Sequence, residues 1–288
     1  MDRIVYALLA ILLLASRAVG QDLQAYRVIS INIRYDNPND KPHDWTSRRD
    51  SLGLVLLREQ ADLIGMQEVL HQQAEELKVR LQGYRMIGVG RLDGKAEGEY
   101  APIWYRAKRF RLVRSGYFWL SETPNVAGRR GWDAACERIA TWAVLRDRHT
   151  KRELFVLNTH LDHEGQQARR ASVALLRDSI VHLSEGRPVV VLGDFNATPT
   201  DAVLKAFLEP SASLMLLDSY VEEAGDVEQG ATFHNFGRLA RGQRPRIDYI
   251  LHNEGLERMA YRRLRTDGPE LCLSDHHGVV VLFRLVRP

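Results

Sequence analysis

Val189-Val190-Val191-Leu192-Gly193-Asp194-Phe195-Asn196-Ala197-Thr198-Pro199 is the stretch around which this chain is read. The valine run has the composition of a buried strand. It stops at Gly193 and then sets an aspartate and an asparagine two positions apart. In an extended chain, residues i and i+2 point the same way. Asp194 and Asn196 are therefore expected to enter one site from a strand's carboxyl end, where open α/β sheets keep their ligands. Alone, Gly-Asp-Phe-Asn reads equally well as an Asp/Asn turn. The rest of the chain decides between the two.

The 288 residues are 45% hydrophobic and 27% charged, an ordinary globular balance. The net charge of +3 is mild and does not by itself argue for nucleic acid. No repeat, low-complexity tract or proline-rich linker divides the chain, so one domain over residues 21–288 is expected. Residues 1–20 differ: Arg3, an apolar run from Ile4 to Ala15, then Ala18-Val19-Gly20. This is the pattern of a cleaved secretory signal, with Gln21 as the new N-terminus and a secreted or periplasmic location. The apolar run is short for a bilayer span, and no other segment is apolar enough to be one. The two cysteines, Cys136 and Cys272, read as one disulfide or as two free thiols, and they fit no zinc spacing.

Along the chain, strands are expected at 27–33, 61–69, 102–105, 110–120, 138–145, 153–160, 246–251 and 279–285. Helices are expected at 48–60 (capped by Thr46), at 71–81, from about 162 to 182, and at 200–208 with Pro199 at its start. Residues 88–101, 121–136 and 221–245 read as loops that would set substrate choice. Polar residues end or interrupt the apolar strands again and again: Asn32, Glu68, His160, Asp194 with Asn196, Asp248, and Asp275 with His276. Each alone reads as an ordinary cap or turn. Burying so many carboxylates separately would be prohibitive, whereas gathering them around one divalent cation is not. The oxygen-rich donor set suits Mg²⁺ or Mn²⁺ better than zinc.

The ordered series Asn32, Gln67-Glu68, Thr159-His160, Gly193-Asp194-Phe195-Asn196, Arg246-Ile247-Asp248-Tyr249 and Ser274-Asp275-His276 resembles the endonuclease/exonuclease/phosphatase superfamily. The resemblance covers essentially the whole chain after residue 20. It implies an α/β (α+β) fold: a four-layer αββα sandwich of the DNase I type, with the site at one end of two packed sheets. It also implies metal-dependent hydrolysis of a phosphate ester. In that reading Glu68, Asn32 and Asp275 surround the metal, and Asp194, oriented by Asn196, activates the water. His276, held by Asp248, is a donor or the base. His160 is a second donor, and Arg138 contacts the substrate phosphate.

One departure stands out. Apurinic-site endonucleases of this superfamily carry an acid two residues after the first asparagine, and here that position is Arg34. Residues 131–142 resemble secreted members nearest the carbon-catabolite-repressor-type deadenylases. The leading expectation is a phosphodiesterase or nuclease acting as a monomer, with nucleic acid among its candidate substrates. A phosphomonoesterase or sphingomyelinase-like enzyme, and a deadenylase-like 3′-5′ exoribonuclease, are the alternatives.

Overall fold

The computed structural model describes residues 25–220 and 230–286. In chain order the elements are β1 (Ala25–Asn32), α1 (Trp45–Glu59), β2 (Leu63–Gln67), α2 (His71–Arg80), β3 (Tyr84–Ile87), β4 (Ile103–Arg106), β5 (Phe110–Trp119) and β6 (Ile139–Asp147). They continue with β7 (Glu153–His160), α3 (Gln166–Ser184), β8 (Val189–Asp194), α4 (Ala202–Leu208), β9 (Leu217–Asp218), β10 (Asp248–His252), β11 (Leu256–Leu264) and β12 (Gly278–Leu285). The leader-like segment at 1–20 and part of the 221–245 loop lie outside the described residues. No helix among the described residues is long and apolar enough to cross a membrane.

Two six-stranded sheets form, ordered β11-β12-β1-β2-β4-β3 and β5-β6-β7-β8-β10-β9. The strand sequences explain their stacking. In β1, Ile29 and Ile31 face a core shared with Trp45, Leu52 and Leu56 of α1 and with Ala74 and Leu77 of α2. Its alternate residues Tyr26 and Val28 face the opposite sheet. In β8, Val189 and Val191 pack under α3 and α4, while Val190 and Leu192 join the core between the sheets. Continuous apolar runs are what a strand covered on both faces requires. The result is the expected αββα sandwich.

The sheets are also pinned by buried polar contacts near one end. Gln67 Nε2 donates to Asn158 Oδ1 at 2.7 Å, and Asn158 Nδ2 donates to the carbonyls of Met66 and Pro102. Gly65 permits this approach. A Cβ there would lie 2.7 Å from Leu192 Cδ1 and 2.9 Å from Asn158 Oδ1.

Several expected boundaries shift. α1 begins at Trp45, so Asp44 rather than Thr46 is its cap residue, and its carboxylate takes the hydroxyls of Thr46 and Ser47. α4 is capped by Asp201, whose side chain accepts from Val203 N, and Pro199 lies outside the helix. α3 starts after Gly165, because Asp162 instead folds the preceding loop by accepting the backbone N–H groups of Glu164 and Gly165. Strands β3, β9 and β11 had no strand reading in the sequence. All three lie at sheet edges, where a strand buries too little to show a clean pattern.

Candidate active site

Strand direction gathers the polar residues at one rim. β1 runs parallel to β2, and β7 runs parallel to β8. Asn32 therefore ends its strand beside Gln67, and His160 ends its strand in register with Asp194. β10 is antiparallel to β8, so it begins at this rim, with Asp248 in register with Asp194. β12 is antiparallel to β1, which brings Asp275 and His276 to the same end. β6 is antiparallel to β7 and does likewise for Arg138.

Asp194 lies at the centre. Its Oδ2 accepts from Asn32 Nδ2 at 3.1 Å and lies 3.6 Å from His160 Nε2 and 3.8 Å from His276 Nε2. Its Oδ1 accepts the backbone N–H of Asn196 at 2.9 Å. Asn196 thus orients Asp194 with its main chain. Asn196 adopts φ 45° and leaves the strand, so it does not reach the site by the alternation of an extended chain. Its side-chain amide turns to His160 Nε2 at 3.1 Å and to Leu161 O at 3.0 Å. Burial, with the Asp248 charge behind it, raises the Asp194 carboxyl to about 7 against the opposing pull of His276.

His276 donates from Nδ1 to Asp248 Oδ2 at 2.8 Å. Burial alone would depress this imidazole. The Asp248 charge and hydrogen bond outweigh it and lift the group to about 10. His160 goes the other way. Burial, then the charges of Arg138 and Arg91, push it well below the usual histidine range, so it is neutral. Its Nε2 accepts from Asn196, which leaves the hydrogen on Nδ1. That atom lies 4.0 Å from Glu99 Oε2 and has no hydrogen-bond partner among the described residues.

A cleft of about 480 Å³ is lined by Glu68, Asp194, Asn196, Asp275, His160, His276, Arg34 and Arg138, among others. Residues 29–276 match the model of the Endonuclease/Exonuclease/phosphatase family. The chain belongs to that family. A Bacteroides vulgatus endonuclease/exonuclease/phosphatase has a similar structure: TM-score 0.86 and 37% identity, covering 91% of this chain and 99% of that one. A mannosyl-6-phosphatase of Bacteroides thetaiotaomicron gives a TM-score of 0.78 at 31% identity, covering 91% of this chain and all (100%) of that one. Nocturnin of Xenopus laevis is 25% identical over an alignment of 223 residues that covers 73% of this chain and 55% of that protein. The chain therefore spans about half the length of that relative.

Family members of this fold hydrolyse phosphate esters with a divalent metal, and the residues at this rim fit one. Glu68 leaves β2 with φ 60°, which turns its carboxylate toward the cleft. Its Oε1 accepts from Asn32 Nδ2 at 2.8 Å and its Oε2 from Tyr35 N at 3.1 Å. Asp275, buried on the same rim, has a raised pKa, first from burial and then from the nearby Glu68 charge. Two such acids facing each other are stabilised by a cation. Asn32 meets these acids through its amide nitrogen. Its carbonyl Oδ1 already accepts Arg34 N at 2.9 Å, so its amide nitrogen faces Glu68 and Asp194. Asp194, Asp248 and His276 also offer three ligand atoms within 4.8 Å of one another, but Asp248 and His276 are bonded to each other.

Arg138 lines the same cleft. Its Nε lies 3.3 Å from Asp162 Oδ2 and its Nη2 3.0 Å from His163 Nδ1, while buried Nη1 has no hydrogen-bond partner among the described residues. Both cysteines are free: Cys136 lines the cleft and Cys272 is buried elsewhere. Sequence reasoning gave no role to the Arg91–Glu99 pair (2.8 and 2.9 Å), to the Arg34–Asp40 pair, or to buried Arg48. Only the position of Arg34, two residues past Asn32, was a signal.

Proposed function

We propose that this enzyme hydrolyses phosphate esters with a bound Mg²⁺ or Mn²⁺, using Asp194 to activate water. The observation that carries this reading is the position of Asp194 Oδ2, within 4 Å of Asn32, His160 and His276 in the cleft that holds Glu68 and Asp275. Glu68 and Asp275 would hold the cation, with Asn32 fixing the Glu68 carboxylate. The chemistry a cation supplies there is neutralisation of charge on a phosphoryl oxygen and on the leaving oxygen.

The chain's own groups do the rest. Ionised Asp194 accepts a proton from water as the water oxygen bonds to phosphorus. The ester P–O bond breaks, the leaving oxygen takes a proton from solvent water, and Asp194 later returns its own proton to solvent. His276 is an imidazolium near neutrality, so it serves as a donor to a phosphoryl oxygen and not as the base. His160 and Arg138 are the further donors. Phosphodiesterase and phosphomonoesterase chemistry use these same atoms. A relative named as a mannosyl-6-phosphatase supports the second. The Arg3, Ile4–Ala15 and Ala18-Val19-Gly20 pattern supports export.

Chelation tests the reading. EDTA is expected to abolish hydrolysis of p-nitrophenyl phosphate and bis-p-nitrophenyl phosphate, and Mg²⁺ or Mn²⁺ to restore it. Turnover indifferent to chelation would refute it.

A further inference from the structure

Arg34 is held unlike a surface arginine. Its backbone sits at φ 57°, a conformation that side-chain-bearing residues seldom adopt. Its Nε and Nη2 grip the Asp40 carboxylate at 2.8 and 3.2 Å. Asp40 is itself buried, presented by a short 3₁₀ turn, Pro38–Asp40, that Asn37 caps. The guanidinium also lies 4.5 Å from the centre of the Tyr35 ring. A strained backbone, a buried carboxylate and an aromatic floor together fix one guanidinium at the cleft.

Its distances to the rim acids are informative. Arg34 Nη1 is 4.0 Å from Glu68 Oε2, and Nε is 3.9 Å from Asp275 Oδ2. A guanidinium placed only to neutralise those acids would close to about 2.7–2.9 Å, the span of a charge-assisted hydrogen bond. Here the edge bound to Asp40 is saturated, and Nη1 makes no hydrogen bond among the described residues. One fixed guanidinium, Arg34, keeps an unused donor edge at the cleft, next to Glu68 and Asp275.

A phosphate monoester near neutral pH carries nearly two negative charges and three non-bridging oxygens. A diester carries one charge and two such oxygens, with a second ester group where the third oxygen would be. We propose that Arg34, positioned by Asp40, selects phosphate monoesters: its Nη1 edge holds the third non-bridging oxygen of a terminal phosphate. A second ester group at that place would meet a guanidinium that cannot swing away without leaving Asp40. The natural substrate class is then a small organic phosphate with a free terminal phosphoryl group. This rests on the hydrolase reading above.

The test compares p-nitrophenyl phosphate with bis-p-nitrophenyl phosphate under saturating Mn²⁺. Wild type is expected to prefer the monoester. Arg34→Gln is expected to lower kcat/KM for the monoester by about 100-fold and for the diester by less than about tenfold. Asp40→Asn, which keeps the arginine but frees it, is expected to shift selectivity the same way by less. Competitive inhibition by inorganic phosphate is expected to weaken with Arg34→Gln, while the Mn²⁺ dissociation constant from calorimetry changes little. Equal losses on both esters with a changed Mn²⁺ affinity would show that Arg34 only balances charge, and would overturn the proposal. So would a wild type that prefers the diester. A folded wild type that cleaves neither ester with either cation refutes the hydrolase reading, and this proposal with it.

Discussion

Asp194→Asn is expected to lower kcat by about 10³-fold, because it removes the only carboxylate among the described residues that lies within 4 Å of Asn32, His160 and His276 together. The pH profile gives the same prediction another form. Burial and the Asp248 charge raise the Asp194 carboxyl to about 7, so the basic form is depleted as pH falls through that value. The acid limb of kcat/KM in the wild type is expected at or below about 7, since a bound cation draws it downward. What activity remains in Asp194→Asn is expected to lack that limb. The stability effect runs opposite to the activity effect. A group whose folded pKa is raised favours the fold below its unfolded value and loses that contribution as pH rises through about 7. Ionised Asp194 is thus a burden on the fold, and in EDTA above that pH the variant is expected to melt no lower than wild type. An active variant would remove Asp194 from the base role, and a collapsed one would make it structural.

Arg48→Leu is expected to destabilise the domain by about 3–5 kcal/mol, measured by urea denaturation. Arg48 is fully buried, and its guanidinium donates to carbonyls rather than to an acid. It holds Arg34 O at 2.6 Å, His43 O at 3.0 Å, Leu273 O at 3.2 Å and Tyr35 O at 3.4 Å, and it also bonds Ile33 O. These carbonyls belong to the segment after β1 and to the approach to β12. Arg48 therefore joins the loop carrying Asn32 and Arg34 to the loop carrying Asp275 and His276. Leucine fills the space but leaves those oxygens without donors, which is the costly half of a buried hydrogen bond. A loss under about 1 kcal/mol would show that water or a neighbour takes over the carbonyls.

The legible part of this molecule was the part that repeats. β1, β2, β7 and β8 are apolar runs that end in an amide, an acid or an imidazole, and each ending stands out against the run before it. Strand direction then converts order along the chain into proximity at one rim, so the αββα layers and the residues at the cleft followed together. What stayed hidden depends on single backbone conformations and on distant partners. No pattern in Arg34-Tyr35-Asp36-Asn37 announces that Arg34 has φ 57° and reaches Asp40. Arg48 looked like one more helix arginine, because sequence does not say which face meets carbonyls from 33–35 and from Leu273. Asn196 follows a strand in sequence and so reads as extended, yet its φ is 45°. Strand β11, Leu-Glu-Arg-Met-Ala-Tyr-Arg-Arg-Leu, mixes four charged residues among its apolar ones because it lines an edge, and it reads as surface until β12 is beside it.

Calorimetric titration of Mn²⁺ into the metal-free protein, wild type against Glu68→Gln, addresses the convergence of acids on one cation most directly. Wild type is expected to bind Mn²⁺ in a site whose occupancy tracks hydrolysis. Glu68→Gln is expected to weaken that binding by at least about 100-fold while the fold persists. Unchanged Mn²⁺ affinity in a folded Glu68→Gln protein would contradict a metal centre built on this rim.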